Sequence, residues 1–233
     1  MNLFYAPPEQ IQGNRIELEG QQARHAAKVL RYGEGDRISV TDGAGFWYDG
    51  IVRRVLGEVV LVEITGREQH PPQNPRLTLA LGIIKKRDRL EFAVEKAVEL
   101  GAAEIILYRS DHTVKENIRI DRLESTAVAA MKQSLRVRLP SISLHNSVQE
   151  VADRYLSDLG QRMLVAHEKS DSSPGVPDTF KKEQNLLLVV GPEGGLSGDE
   201  VEYLQEMGGW LVSLGQYRLR TETAVVALMS QFL

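Results

Sequence analysis

Leu186-Leu187-Leu188-Val189-Val190 runs straight into Gly191-Pro192-Glu193-Gly194-Gly195, and Trp210-Leu211-Val212-Ser213-Leu214 runs into Gly215 and on to Leu219-Arg220-Thr221-Glu222-Thr223-Ala224. Each apolar run has the length and flanks of a buried strand. Each ends in a glycine-bearing turn, and each turn opens a helical pattern. In open α/β sheets, ligands sit outside the carboxyl ends of strands. Two such loops in succession therefore predict a binding pocket walled by main chain. Gly194-Gly195 allows positive φ and close approach of a ligand to the backbone, and Pro192 fixes one φ in the same turn. Ser197 is placed to cap the next helix, with Glu200 at the reciprocal position three residues on. Neither loop carries GxGxxG or a glycine-rich loop ending in Lys-Ser or Lys-Thr, so the usual nucleotide motifs are absent.

Upstream of these loops, strands and helices alternate. Strands are expected over 77–83, 104–108, 162–167, 185–190 and 210–214, and helices over 88–100, 121–134, 147–159, 197–207 and 221–232. In the first of these helices Leu90, Ala93, Val94, Ala97 and Val98 recur at threes and fours, and Gly101 ends it. Alternation of this kind predicts a mostly parallel sheet covered on both faces. Residues 169–184 are polar and are expected to form a surface loop.

The stretch Gln69-His70-Pro71-Pro72-Gln73-Asn74-Pro75-Arg76 holds three prolines and no apolar side chain, and reads as a linker. Before it lie short β-type runs at 2–5, 37–41, 46–55 and 58–64, with Gly43-Ala44-Gly45 turning the middle pair into a hairpin. One helix, over 20–30, interrupts them. A small β-barrel accommodates so many short strands. The expected division is a barrel domain over 1–70, a linker over 71–76 and an α/β domain over 77–233.

Composition narrows the function classes. The 233 residues include no cysteine, which excludes disulfides, thiolate metal sites and a cysteine nucleophile. The N-terminus lacks the basic flank and apolar core of a signal peptide. No apolar run approaches the length of a membrane span, and a cytoplasmic location is expected. The net charge of −4 disfavours a general binder of naked RNA. The charge is uneven: residues 76–140 carry 13 basic and 9 acidic side chains, whereas residues 141–233 carry 7 and 13. The middle third is thus the expected phosphate-facing region. His167-Glu168 lacks a second ligand cluster, and no metal site is expected.

VVGPEGGLSGDE at 189–200 and LGQYRLRTETA at 214–224 resemble the signature of the SPOUT RNA methyltransferases, and within these the RsmE family. Three further blocks carry the same resemblance: Arg24-His25-Ala26-Ala27-Lys28-Val29-Leu30-Arg31; Lys86 to Glu91 running on through Lys96 to Gly101; and Gln133-Ser134-Leu135-Arg136. The chain departs from the family pattern at Gln216-Tyr217-Arg218, where Pro-Arg-Ile is usual, and at Arg87, where glycine is usual. The resemblance implies a PUA-like N-terminal barrel and a SPOUT α/β domain with a trefoil knot. It implies S-adenosylmethionine as cofactor and, as product, a uridine methylated on ring nitrogen 3 at position 1498 of 16S rRNA in the small ribosomal subunit. Ribose 2′-O methylation, or a non-catalytic RNA-binding role on the same fold, are the alternatives.

The cofactor is expected to lie against Leu164, Val165 and Ala166, against Gly191, Pro192, Glu193, Gly194 and Gly195, and against Ser213, Leu214, Gly215, Leu219, Thr223 and Ala224. Backbone groups at strand ends can read an adenine without charged side chains. Arg136 and Arg220 are the expected catalytic residues. Uracil nitrogen 3 is a poor nucleophile until its proton leaves, and a guanidinium can stabilise the anion without acting as a base. Arg24, Lys28 and Arg31 share one helix face, opposite Ala26, Val29 and Leu30. With His25, Lys86, Arg89 and Arg138 they are the expected RNA contacts. A homodimer is implied by the resemblance and favoured by the apolar circumference of the last helix, at Ala224, Val225, Ala227, Leu228, Phe232 and Leu233.

Overall fold

The structure is a computed structural model that describes residues 2–113, 117–159, 162–168 and 175–233. The chain divides into two compact units. One comprises the residues up to Pro72 together with Val128–Leu139; the other comprises Gln73–Ala127 and Pro140–Leu233.

The first unit begins with β1 (Leu3–Tyr5), β2 (Ile11–Gln12) and β3 (Arg15–Glu19). The short helix α1 (Gly20–Arg24) follows and continues as a wider π turn over His25–Val29. Then come β4 (Arg37–Thr41), β5 (Phe46–Leu56) and β6 (Val59–Gln69). The sheet order is β1-β4-β5-β6-β3-β2, antiparallel except for the parallel β1–β4 pair. Alternation sets its inner face. Ile16 and Leu18 are buried between exposed Arg15, Glu17 and Glu19, and they pack with Phe4, Ile38, Val40, Val52, Val60 and Val62. Strands β2 and β3 were not anticipated from the sequence, and β6 runs five residues past its expected end.

The π turn changes the face that the helix presents. Leu30 N–H donates to His25 O at 3.0 Å and Tyr32 N–H to Ala26 O at 3.0 Å, one and two residues beyond α-helical spacing. The extra residue rotates Val29 outward, where it is 67% exposed. The expected apolar face of Ala26, Val29 and Leu30 therefore holds only for Ala26, which is buried, and Leu30, which packs against the core.

The second unit begins with β7 (Arg76–Gly82), α2 (Arg87–Glu99), β8 (Ala102–Tyr108) and α3 (Ile120–Gln133), the last turns of which group with the first unit. It continues with β9 (Ser141–His145), α4 (Val148–Leu159), β10 (Arg162–Ala166), β11 (Asn185–Val190), α5 (Gly198–Glu206), β12 (Trp210–Val212) and α6 (Thr221–Met229). Its six strands are all parallel, in the order β12-β10-β11-β7-β8-β9. Strands buried on both faces read as near-continuous apolar runs, which is why 186–190, and 77–81 with Thr78 as its one polar residue, were legible. The edge strand β9, with polar Ser141 and Ser143, was missed.

The order reverses beside β7. From β7 the chain builds outward through β8 to β9, then crosses to the far side to lay down β10, with β11 later inserted between β10 and β7. The carboxyl ends of β10, β11 and β12 are thus neighbours at the point where direction reverses, the position at which open α/β sheets bind ligands. The surface loop expected over 169–184 falls outside the described residues at 169–174. Its described remainder is not a plain surface loop: Phe180–Lys182 forms a short 3-10 turn, and Val176 and Phe180 are buried.

Candidate functional site

The loop after β11 is a closed turn. Gly195 N–H donates to Pro192 O at 2.9 Å, and Gly195 takes φ +76°, where a Cβ is strained. Tyr108 Oη, fully buried, donates to Val190 O at 3.0 Å and pins the strand end. Lys85 N–H donates to the Glu193 carboxylate, 3.1 Å from each oxygen. Gly82, the last residue of β7, lies directly beneath this loop. A Cβ built on it would stand 2.5 Å from Pro192 N and Cδ.

Two further loops meet this one. At the end of β10, His167 N–H donates to Val212 O at 3.1 Å, and Glu168 pairs with Arg218 at 3.1 Å. After β12, Ser213 Oγ donates to Gly215 O at 3.1 Å, and the chain turns into α6 at Arg220. The loop after β8 closes a fourth side. His112 Nδ1 lies 3.2 Å from Gly195 O. A carbonyl only accepts, so Nδ1 carries the proton.

Glu200 ties that fourth loop to α5. It forms the expected capping box with Ser197. It also accepts from Ser110 Oγ at 2.9 Å and from Asp111 N–H at 3.2 Å while only 1% exposed. Ser197 Oγ in turn donates to Asp111 Oδ2 at 2.7 Å. With the Ser197 N–H at 2.8 Å the buried carboxylate thus accepts from three donors, which is what its burial requires.

These loops enclose a cavity of about 590 Å³, within the range of small-molecule sites. Ala166, Gly191, Pro192, Glu193, Gly194, Gly195, Ser213, Leu214, Gly215, Leu219, Arg220 and Ala224 line it. Three expected cofactor residues do not. Leu164 and Val165 are fully buried in the body of β10, one turn of the pleat too early. Thr223 points to solvent on the far side of α6. The cavity also contains residues not assigned to the cofactor: Arg89, His112, His167, Glu168, Leu196, Ser197, Tyr217, Arg218 and Thr221. Arg89 was expected at RNA; here it is a wall of the cavity.

The RNA methyltransferase domain family matches residues 71–233, and the RNA methyltransferase PUA domain family matches residues 18–63. Over 230 residues the chain is 30% identical to the ribosomal RNA small subunit methyltransferase E of Bacillus subtilis (strain 168), covering 92% of this chain and 88% of that protein. The chain belongs to the ribosomal RNA small subunit methyltransferase E family. Among solved structures it resembles a probable rRNA-methyltransferase from Porphyromonas gingivalis, with a TM-score of 0.86 and 34% identity over 99% of this chain and 96% of that one. It also resembles the ribosomal RNA small subunit methyltransferase E from Neisseria gonorrhoeae, crystallised bound to S-adenosyl methionine, with a TM-score of 0.87 and 26% identity over the same shares.

In this member of the ribosomal RNA small subunit methyltransferase E family, the departure Gln216-Tyr217-Arg218 is exposed throughout. Tyr217 and Arg218 nevertheless line the cavity, and Arg218 is held by Glu168. Arg87, the other departure, is an exposed residue at the start of α2, paired with Glu91 one turn on at 3.6 Å.

The expected RNA contacts separate into groups. Arg24, His25 and Lys28 surround a second hollow of about 450 Å³, together with Gln21, Val29 and Lys132. Lys132 was not anticipated, since it lies more than a hundred residues away in sequence. Its ammonium donates to Gln22 Oε1 at 2.9 Å and sits 5.9 Å from the Phe4 ring centre. Burial pushes its pKa down. Arg31, with φ +58°, and Lys86 are exposed elsewhere. Arg138 is a correction. Its guanidinium donates to Ala44 O and to His70 O, each at 2.8 Å, and so clamps two loops of its own unit instead of standing free for phosphate. Arg136 follows Leu135, which has φ +56°, and its N–H donates to Met131 O at 2.9 Å. Partial burial pushes its guanidinium pKa down, yet an arginine stays charged under any physiological condition.

Proposed function

We propose that this chain methylates nitrogen 3 of a uridine, position 1498, in 16S rRNA of the small ribosomal subunit, using S-adenosylmethionine. The observation that carries the reading is the cavity at the carboxyl ends of three adjacent parallel strands, walled by the main chain of 191–195 and 213–215. The residues present suit that cofactor. Ala166, Val190, Leu214 and Leu219 offer a flat apolar slot, with loop carbonyls and amides at its edge for an adenine. The close approach of Gly82 to Pro192 leaves no room for the loop to sink, so its backbone faces the cavity. When bound, the cofactor supplies an electrophilic methyl group on a sulfonium.

The chain's own residues then bind, orient and exclude water. The glycine loops hold the adenosine end. Arg136 and Arg220 stabilise negative charge that builds on the uracil as its N3 proton leaves. Arg24, His25, Lys28, Arg31 and Lys86 meet the RNA backbone. The acidic net charge favours a folded particle gripped at several points over a short naked RNA. The same reading includes a barrel domain over 1–70, a linker over 71–76 and a SPOUT domain over 77–233. It includes a trefoil knot among the cavity loops and a cytoplasmic homodimer. Two features support association. Leu233 at the end of the chain remains 78% exposed, and Trp210 at the start of β12 and Tyr217 at the cavity are exposed. Much of the apolar circumference of α6, at Val225, Leu228, Met229 and Phe232, is already buried within the subunit.

The test is to incubate the protein and S-adenosylmethionine with small subunits purified from a strain lacking this activity. The rRNA is then digested and its nucleosides identified by chromatography and mass spectrometry. 3-Methyluridine is expected. A methyl group on the ribose, or none, overturns the reading.

A further inference from the structure

Arg89 and Glu222 form a charged pair at the cavity wall that the roles above do not use. Arg89 lies in the first turn of α2 and lines the cavity. Glu222 lies in the first turn of α6, the helix packed against α2. Glu222 is only 8% exposed, and Arg89 Nε stands 3.6 Å from its Oε1. Its other oxygen, Oε2, is buried without a hydrogen-bond partner among the described residues. A carboxylate left so poorly satisfied is costly. The N-terminal end of α6 offsets part of that cost, and the nearby guanidinium offsets more. The arrangement makes sense if the carboxylate serves to hold the arginine.

The other cavity arginines are engaged or exposed differently. Arg218 is tied to Glu168 at 3.1 Å, and Arg220 is exposed. Arg89 alone of the three is mostly sheltered and backed by a buried carboxylate. With its Nε nearest Glu222, its remaining N–H donors have no hydrogen-bond partner among the described residues and stand at the cavity that Arg89 lines. A planar guanidinium with free parallel donors matches a planar anion delocalised over oxygen atoms.

We propose that Arg89 is a further anion-receiving group of this cavity, beside Arg220, and that Glu222 is its positioning residue. This rests on the cofactor reading above. Two anions of that chemistry enter such a site: the carboxylate at the amino-acid end of S-adenosylmethionine, and the uracil ring as it loses its N3 proton. In the second case the N3–H bond breaks with its electron pair left on the ring. The N3 pair then forms the N–CH₃ bond while the S–CH₃ pair returns to sulfur, and the proton goes to solvent. Arg89 takes no proton in either case.

Calorimetry on the full-length protein separates these sources. The probes are S-adenosylhomocysteine and 5′-methylthioadenosine, which lacks the amino-acid end. If Arg89 receives the carboxylate, Arg89→Gln weakens S-adenosylhomocysteine by roughly ten- to a hundredfold and leaves 5′-methylthioadenosine unchanged. If it receives the uracil anion, both affinities hold, and turnover on small subunits at saturating RNA falls by at least about a hundredfold. In either case Glu222→Gln moves the same quantity by a smaller factor, and Arg89→Lys restores part of it, which a merely structural pair would not show. The proposal is overturned if Arg89→Gln leaves S-adenosylhomocysteine affinity and turnover both within threefold of wild type. It is also overturned if both probes weaken equally, since that reports a collapsed pocket. A wild-type protein that binds neither probe sinks the cofactor reading as well, so the two failures are distinct.

Discussion

Gly82→Ala is a single added methyl group aimed at the floor of the cavity. Gly82 does not require glycine for its backbone, because its φ is not among the positive ones. What it requires is space: the new Cβ would lie 2.5 Å from Pro192 N and Cδ and 2.9 Å from Gly191 C, where ordinary contact begins at 3.4 Å. The 191–195 loop must therefore retreat by about 1 Å, or β7 and β11 must part. Overpacking of this kind costs about 1–3 kcal/mol. For a chain of this size that lowers the unfolding temperature by roughly 2–12 °C. The displaced loop also misplaces its amides and carbonyls. Losing one or two main-chain hydrogen bonds to a ligand, each about 0.5–1.5 kcal/mol, weakens binding by roughly three- to a hundredfold. The assay is calorimetric titration with S-adenosylhomocysteine beside a thermal melt followed by circular dichroism. Gly195→Ala is the contrast. There φ is +76° and nothing lies within 4 Å of the new Cβ, so only backbone strain of about 1–2 kcal/mol is added. Gly82→Ala protein that binds within twofold of wild type and melts within a degree of it would refute the steric reasoning and the loop's place in the site.

Glu200→Ala removes a capping box and leaves Ser110 Oγ and the Asp111 amide without their buried acceptor. A loss of about 2–4 kcal/mol is expected, read as a lower midpoint in urea. Arg138→Ala removes the clamp on Ala44 and His70, and should lower stability by about 1–3 kcal/mol without changing the salt dependence of RNA binding. Lys28→Ala should do the reverse, lowering affinity for small subunits and reducing the salt slope by about one while the melt is unchanged. Arg136→Ala should reduce turnover at saturating RNA by roughly a hundred- to a thousandfold with little change in S-adenosylhomocysteine affinity; near wild-type turnover would remove Arg136 from the chemistry.

The pattern of agreement between sequence and structure has physical causes. The two loops that opened the reading are local: an apolar run and a glycine turn, with a side-chain cap in the first, sit within a dozen residues, and their outcome is written in that order. Ser197 and Glu200 form their capping box as the spacing requires. What escaped is what the fold brings from afar. Gly82 reaches the 191–195 loop from the end of β7, and His112 and Arg89 reach the cavity from the loop after β8 and from α2, each roughly 80–130 residues before the residue it meets. No periodicity marks them. Leu164 and Val165 were placed in the cavity because their strand was recognised, but a strand end offers only its final residue, and Ala166 is that residue. Strand β3 did carry a readable alternation around Ile16 and Leu18. It lies against Gly20, and the polar Glu17 and Glu19 concealed a strand only five residues long. Val29 was misread because a π turn cannot be seen in a pattern scored at helical spacing.

The first unit is not contiguous in the chain, and this bears on its synthesis. Its hairpin at Gly43–Gly45 is completed by Val137 and Leu139: Gly45 N–H donates to Val137 O at 2.9 Å, and Leu139 N–H to Gly43 O at 2.8 Å. Thr41 Oγ1 lies 3.3 Å from the same Val137 carbonyl, and Arg138 closes over Ala44 and His70. A nascent chain therefore has all six strands of the sheet, which end at Gln69, while the 128–139 segment that packs on its hairpin still waits behind β7, α2 and β8. The contacts of Val137, Arg138 and Leu139 with that hairpin can form only after Gln73–Ala127, the first part of the second unit, has been translated.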